Sequence, residues 1–385
     1  MASQYMARAL TLARRGMGSA SPNPMVGAVV VGDNGRIIAE GYHKAAGTAH
    51  AEVAALAKAG ENARGQTLYV TLEPCNHQGH TPPCTEAIIN AGIRRVVVGV
   101  SDPNPWVQGG GIQRLKDADI TVEVGDGLSE AQKLNSAFFT WCREHRPWIT
   151  LKAAMSLDGK VAAYTGESKY LTSPSALAHA HELRREHDAI LVGSATVLAD
   201  NPRLTYRGKR RGKNPVRIVL DSRGRVPSDG LIFDPAADTP TLVFTTEETP
   251  VEWERDIFSA GGEVIRVSRD PNGHVALKEV MEHLAERRIL SVLVEGGPTI
   301  HAAFLAQGLA DRWVGYLAPL ILGGQEAPSA VGGVGFSLMS APRFKMEKVA
   351  RRGPDIIIDA RRQTDGASPT GQEEVQDCLP VSLKP

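Results

Sequence analysis

The sequence predicts an α/β protein of two domains that meet near residue 146. Three observations predict it. At 385 residues the chain is long for one domain, since domains run to about 100–200 residues. Strand patterns alternate with helix patterns along nearly the whole chain, which is the signature of helix-covered, mostly parallel sheets. Finally, Arg146-Pro147 falls between two such series, and the residue before a proline is pushed out of helical geometry.

Each element has its own reason. Met6, Leu10, Ala13 and Met17 recur at helical spacing and lead into an apolar strand over 26–31. Gly35 turns the chain into a hairpin partner over 36–40. Val53, Leu56 and Ala57 form one face of a helix over 52–58. A strand over 67–71, a helix over 85–91, a buried strand over 96–100, a short helix over 111–117, a strand over 120–124 and one helix over 129–143 complete the first domain, 1–145. The second, 146–362, reads as strands over 148–155, 189–192, 217–220, 241–244, 263–267 and 291–294, with helices over 176–186 and 277–286. The halves share no internal repeat. The tail, 363–385, is rich in Gly, Ser, Pro, Gln and Glu and poor in apolar residues, so disorder is expected.

Composition narrows the function. The chain is 42% hydrophobic and 22% charged, the globular average. Lys+Arg and Asp+Glu are 43 each, for a net charge of zero, which argues against a general nucleic-acid binder. Aromatics at 5% are too sparse for single-strand stacking platforms. Four cysteines make no disulfide scaffold, and no apolar run is long enough for a membrane span. The first acidic residue is Asp33, after Arg8, Arg14 and Arg15, an acid-poor start that a transit peptide would share. The helical spacing leading straight into a strand favours a helix of the domain. No secretory signal is visible, and a cytoplasmic enzyme is expected.

The chemistry concentrates first in His50-Ala51-Glu52, at a helix start, with Pro74-Cys75 after a strand and Cys84 opening the next helix. One imidazole and two thiolates form a three-ligand zinc set that leaves a fourth position for water. His-x-Glu with Pro-Cys…Cys is the zinc deaminase signature, so the domain is expected to be a cytidine-deaminase-like three-layer fold. Zinc lowers the pKa of a bound water, Glu52 would carry its proton to the departing amine, and the helix start is expected to favour the Cys84 thiolate. His50 and Glu52 can share a site only in a helix's first turn, because positions two apart diverge further along. An unrelated buried cysteine pair is the bland alternative. The two cysteines lie nine apart rather than three, and the insert reads Cys75-Asn76-His77-Gln78-Gly79-His80-Thr81-Pro82-Pro83-Cys84.

The second domain carries Ala153-Ala154-Met155-Ser156-Leu157-Asp158-Gly159-Lys160 after a strand, then the run from Gly193 to Pro202, and Val294-Glu295-Gly296-Gly297-Pro298-Thr299. A strand–Gly-Gly–helix turn over 293–305 offers backbone N–H groups and a positive helix end to a phosphate, or is a plain connecting turn. No G-x-G-x-x-G follows a strand, which disfavours a Rossmann domain. Together with the cysteine insert, these motifs resemble the bifunctional riboflavin-biosynthesis deaminase/reductase family over about 1–360.

The resemblance implies a dihydrofolate-reductase-like α/β second domain, and two reactions. The first is zinc-dependent deamination of a phosphoribosylated diaminopyrimidine; the second is NADPH-dependent reduction of its ribosyl group to ribityl. It implies nicotinamide contacts at Ala154, Tyr170, Thr196, Asp200, Ser222 and Gly297, Pro298, Thr299, Ile300, His301, Ala302 and Ala303. Substrate contacts are implied at Ser168, Arg184, Leu204, Arg207 and Glu295 in the reductase, and at Asn23 and His77 in the deaminase. Tyr170 stands where the family carries tryptophan, His80 where Lys or Arg is usual, and Gly110 at the centre of a Gly-x-Gly that is often basic. Arginine forks at 184 and 207 suit a phosphate. The basic run 207–213 is otherwise a solvated turn. No residue declares itself as the reductase's proton donor.

His43, His145, His179, His181, His187, His274, His283 and His301 follow no metal-ligand spacing. Cys142 is expected to pack, and Cys378 lies in the tail. Two competing readings remain: a tRNA or nucleobase deaminase fused to an unrelated domain, and an inactive deaminase-like ligand sensor. The partners expected are small molecules, with no nucleic acid and no membrane, in a homo-oligomer whose two chemistries are separable.

Overall fold

The computed structural model describes residues 2–77, 82–104, 107, 109–169, 171–210 and 212–363. Tyr170, His80 and the tail from 364, with Cys378, lie outside them.

The first domain runs α1 (Gln4–Ala13), β1 (Gly27–Val31), β2 (Ile37–Tyr42), α2 (Ala51–Ala59), β3 (Thr67–Val70), α3 (Cys84–Asn90), β4 (Arg95–Val98), α4 (Gly110–Asp117), β5 (Thr121–Val124), α5 (Leu128–Leu134) and α6 (Ser136–Glu144). Its five-stranded sheet has the order β2-β1-β3-β4-β5. Side chains alternate between the two faces of a strand: Ala28 and Val30 pack with Leu56, Ile88 and Leu115 of α2, α3 and α4. Val29 and Val31 pack with Met6, Leu10 and Leu12 of α1, and with Ala131 and Phe139 of α5 and α6. That is a three-layer sandwich. The arginine-rich start is a packed helix of the domain, as its apolar spacing predicts, although Met17 lies beyond its end.

Two expectations are corrected here. The sheet is only half parallel, because β1 runs antiparallel to both β2 and β3, while β3, β4 and β5 are parallel. The helix expected over 129–143 is two helices. Asn135 interrupts it at φ −107°, its Oδ1 accepting from Met25 N–H at 2.8 Å and its Nδ2 donating to Met25 O at 2.9 Å. Both arms of a buried amide are thereby satisfied by a loop 110 residues away, and that pairing overrides local helix propensity.

The second domain begins with β6 (Trp148–Ser156), α7 (Pro174–Glu186), β7 (Ala189–Gly193), α8 (Ser194–Asp200), β8 (Val216–Leu220), β9 (Thr241–Thr245), α9 (Val251–Ser259) and β10 (Gly262–Arg266). It continues through α10 (Leu277–Glu286), β11 (Ser291–Val294), α11 (Pro298–Ala306), β12 (Arg312–Ala318), β13 (Phe344–Arg352) and β14 (Asp355–Arg362). The nine-stranded sheet has the order β10-β9-β8-β7-β11-β6-β12-β14-β13. It is parallel from β10 to β12 and antiparallel across β12, β14 and β13. Helices α10 and α11 cover one face through Val280, Leu284 and Phe304. The other face carries Val197 of α8 and Ile257 of α9, with Ala176, Ala180 and Leu183 of α7 towards β12.

The linker is fixed to the second domain. Arg146 pairs with both oxygens of Asp311 at 2.8 Å, and Asp311 also accepts from Ile149 N–H at 2.7 Å. Across the domains, Lys133 meets Glu347 at 2.7 Å, Arg361 donates to Ser136 Oγ at 2.6 Å, and the Trp141 indole donates to Ala285 O at 3.1 Å.

Candidate active sites

His50 is the N-cap of α2, Glu52 lies in its first turn, and Cys84 is the first residue of α3. This is the one placement in which residues 50 and 52 converge, as the sequence requires. His50 Nδ1 lies 3.1 Å from Cys84 Sγ and 3.5 Å from Cys75 Sγ, and one ligand atom from each residue falls within a 4.8 Å cluster. The eight-residue insert does not separate the cysteines. Thr85 Oγ1 donates to Asn76 Oδ1 at 2.8 Å, Thr85 N–H to Cys75 O at 3.3 Å, and Cys84 N–H to Cys75 Sγ at 3.5 Å. These bonds close the loop at its base. One imidazole and two thiols gathered this closely fit a catalytic zinc ion, which takes three protein ligands.

The mutual contact of the two thiols shifts them in opposite directions. The hydrogen bond from Cys84, helped by His50, holds the Cys75 thiol down at about 4. The same contact, burial and the Glu52 carboxylate hold the Cys84 thiol well above its ordinary range. Burial pushes the Glu52 carboxyl up to about 7, the Cys75 thiolate adding to it.

Asn23 and His43 complete one wall. His43 is buried and stands edge-on to His50, with ring centroids 5.3 Å apart. Its Nδ1 faces Ala49 O at 3.3 Å and its Nε2 faces Asn23 Nδ2 at 3.2 Å. The assignment consistent with both is a neutral ring that donates from Nδ1 and accepts from Asn23. His77 is exposed, beside the buried Asp102, whose carboxyl burial pushes up to about 6 and His77 pulls down. Spacing gave no signal for His43 or Asp102; the Ser101-Asp102-Pro103 turn after a strand was the only hint of the latter.

Glu73 was also illegible. It is buried and accepts four backbone N–H groups: Asp102 at 3.1 Å, Gly109 at 3.2 Å, Gly111 at 3.1 Å and Ile112 at 3.2 Å. It thus ties the end of β3 to the start of α4. Gly111 is required there, since a Cβ would lie 2.0 Å from Pro74 O. This accounts for the Gly-x-Gly as close packing, with Gly110 itself in open space.

In the second domain, the turns after β7 and β11 meet. A Cβ on Gly296 would lie 3.0 Å from Thr196 Oγ1, and one on Gly193 would lie 2.6 Å from Ile300 Cδ1. Gly297, at φ 76°, is the N-cap of α11, with Pro298 opening the helix. Thr196 and the start of the 297–303 segment therefore meet at one end of the sheet, and Asp200 is the last residue of α8. Ala154 is on β6. Ser222 follows β8 and its Oγ accepts from Val275 N–H at 3.0 Å. His301 is buried; its Nδ1 donates to Ala330 O at 2.9 Å and its Nε2 has no partner among the described residues. Asp158 and Lys160 of the first motif brace a loop, Asp158 accepting from Leu322 and Gly323 N–H, and Lys160 donating to Ala327 O at 2.8 Å.

The charged cluster is centred on Glu295. Arg184 reaches it with Nε at 2.8 Å and Nη2 at 2.9 Å, and donates from Nη1 to Thr205 O at 2.9 Å. Lys152 lies 4.0 Å away. Burial alone would push the Glu295 carboxyl up, but Arg184 and Lys152 prevail and hold it at about 2. Arg207 is exposed and makes no ion pair among the described residues. The His181 imidazole is pushed down to about 4 by burial and by Arg184 and Arg207, and its buried Nδ1 has no partner among the described residues. Three cations thus surround one carboxylate, a surplus of positive charge suited to a phosphate. Lys152 and His181 were not singled out from the sequence. Leu204 is buried in the core, which leaves its backbone for any contact, and Ser168 is half-buried in the loop between β6 and α7.

Two known families match parts of the chain. Residues 1–100 match the cytidine and deoxycytidylate deaminase zinc-binding region, and residues 147–358 match the RibD C-terminal domain. The second match removes the reading of a deaminase joined to an unrelated domain. The riboflavin biosynthesis protein RibD of Bacillus amyloliquefaciens is 44% identical over 94% of this chain and 96% of its own length. That of Aquifex aeolicus is 45% identical over 93% and 98%. Among solved structures, RibD of Acinetobacter baumannii superposes with a TM-score of 0.83 at 37% identity, covering 94% of this chain and 98% of that one. A Thermotoga maritima diaminohydroxyphosphoribosylaminopyrimidine deaminase/5-amino-6-(5-phosphoribosylamino)uracil reductase gives 0.81 at 38%, covering 93% and 98%. A zinc-ligand cluster with its buried glutamate, a reductase domain, and relatives matched from end to end make this chain a member of the RibD family, the bifunctional deaminase/reductases of riboflavin biosynthesis.

Proposed function

We propose that this chain deaminates 2,5-diamino-6-(5-phosphoribosylamino)pyrimidin-4-one in its first domain and reduces the resulting phosphoribosylaminouracil to its ribityl form in the second, with NADPH as donor. The observation that carries this reading is the buried Glu52 beside the His50, Cys75 and Cys84 cluster, in one chain with a cation surplus around Glu295.

His50, Cys75 and Cys84 would hold zinc, which when bound supplies Lewis-acid activation of water at neutral pH. Glu52, with a carboxyl held near 7 by burial, can take a proton and return it to the leaving amine, since a shuttle works best near the operating pH. Asn23 and His77 would orient the pyrimidine. In the reductase, Ala154, Tyr170, Thr196, Asp200, Ser222 and the 297–303 turn would seat the nicotinamide. NADPH when bound supplies the hydride. Arg207, which makes no ion pair among the described residues, would grip the phosphate. Arg184 is held by Glu295, so it would act by charge and by fixing the wall that Ser168 and Leu204 complete. Lys152, 4.0 Å from Glu295, is the candidate for protonating the opened ribose.

No helix among the described residues is long and apolar enough to cross a membrane, and the substrates are small and water-borne. A homo-oligomer working in the cytoplasm is the setting proposed. The test supplies the diaminopyrimidine phosphoribosyl compound and NADPH to zinc-loaded protein. Ammonia should be released first and reduced nicotinamide consumed after it; zinc-loaded protein that releases no ammonia overturns the reading.

A further inference from the structure

The two active sites are joined by neighbouring residues of one helix. On α7, the Arg184 guanidinium faces Glu295 in the reductase site. The next residue, Arg185, is buried and reaches into the deaminase domain, where its Nη1 donates to Met17 O at 2.9 Å. The contact is close along the backbone as well. Gly18 takes φ +77°, and a Cβ there would lie 2.6 Å from Arg185 O. Two residues past α7, the half-buried Asp188 carboxylate accepts from Leu290 N–H at 2.9 Å, Ser291 N–H at 3.0 Å and Ser291 Oγ at 3.1 Å. Burial pushes the Asp188 carboxyl up, and Ser21 of the deaminase domain is among the groups that pull it back down.

The segment gripped in this way is the one that carries Asn23. It is tightly wound: Ala20 N–H donates to Gly16 O at 2.8 Å and Asn23 N–H to Ala20 O at 2.9 Å. It is also wedged against the zinc-ligand wall. A Cβ on Gly16 would lie 2.7 Å from His43 O, and Ser19 Oγ donates to Lys44 O at 2.6 Å. Asn23 then reaches His43, which stands against His50. Asn135 fixes the far end of the same segment through Met25.

We infer that Arg185, with Asp188 behind it, is a positioning residue for the deaminase: a reductase helix holds the Asn23 segment in place for the pyrimidine. The inference rests on the proposed contact between Asn23 and substrate. A misplacement of about 1 Å in a positioning element costs up to about 100-fold in rate, so removing the guanidinium should be felt in deamination alone.

Arg185→Met keeps the aliphatic stem and the helix propensity but removes the donor. In the full-length zinc-loaded protein, deaminase kcat/KM should fall by about 10- to 100-fold, mostly through KM, with zinc content and reduction of the deaminated substrate unchanged. Arg185→Lys keeps a cationic donor and should recover most of the loss. Deamination within twofold of wild type in Arg185→Met overturns the inference. If that variant loses both activities, Gly18→Ala decides from the other side of the contact: a deaminase-only deficit supports the tether, and an unchanged KM overturns it. Asn23→Ala separates this from the reading beneath it. A raised KM there with an unaffected Arg185→Met removes the tether alone, whereas an unchanged KM in Asn23→Ala removes Asn23 from the substrate and the inference with it.

Discussion

The deaminase and reductase sites solve opposite problems. In the deaminase, three ligand atoms lie within 4.8 Å, two of them on the first turns of adjacent helices, and almost no opposite charge is present to satisfy them. Donors gathered so closely suit a cation. The reductase cluster is already neutralised at its centre, where Glu295 takes both ends of Arg184, and its spare charge lies at the rim on Arg207. One site is therefore organised by what it binds, the other by an internal ion pair that leaves only its edge for the ligand. Damage to the first should be all-or-none and damage to the second graded.

The largest expected effect sharpens the first half of that contrast. Cys84→Ala removes a ligand that is completely buried, so metal analysis should show zinc strongly reduced and deamination lost, with reduction intact. Full zinc retention would break the comparison. Next is Glu52→Gln, which keeps the shape but cannot shuttle a proton. Deamination should fall by about 10²–10⁴-fold with zinc still bound and reduction of the deaminated substrate unaffected; activity within twofold of wild type removes Glu52 from the role.

The reductase variants should be milder. Arg207→Ala removes a charged hydrogen bond of about 1.5–3 kcal/mol, which at about 1.4 kcal/mol per tenfold is roughly 10- to 150-fold in reductase efficiency. Ammonia release should be spared, and an equal loss of both activities refutes two separate sites. The smallest effect is on acid stability. Glu295 is held at about 2, below the range of a solvated carboxyl, so its ionised form stabilises the fold at all pH values above that range. The contribution is lost as pH falls through that range towards about 2. The melting temperature of Glu295→Gln should lie below wild type at neutral pH, and the gap should narrow on acidification; a constant gap denies the pair this role.

The same contrast explains what the sequence discloses. The zinc set was legible because its residues sit at fixed offsets from element starts, where the chain itself dictates geometry. The core strands and both buried faces followed from periodicity. Strands β12, β13 and β14 went unread: β13 is an edge strand, exposed along nearly its whole length, and an edge without a buried face has no alternation to betray it. The break at Asn135 was hidden for another reason, as its cause is a backbone loop over a hundred residues away. The engagement of Arg184 by Glu295, 111 residues apart, is of the same kind. An arginine's suitability for phosphate is visible locally; whether its fork is already taken is decided by the fold.

Glu73 carries one more consequence. Four amide protons, those of residues 102, 109, 111 and 112, converge on its two oxygens, although Gly109 is solvent-exposed and belongs to the approach to a helix rather than to a strand. A surface loop ordinarily trades its amide hydrogens with water freely. In deuterium exchange these four should instead behave as a slow, jointly opening group, released together when the carboxylate lets go. Glu73→Gln, which halves the acceptor capacity, should divide that group in two.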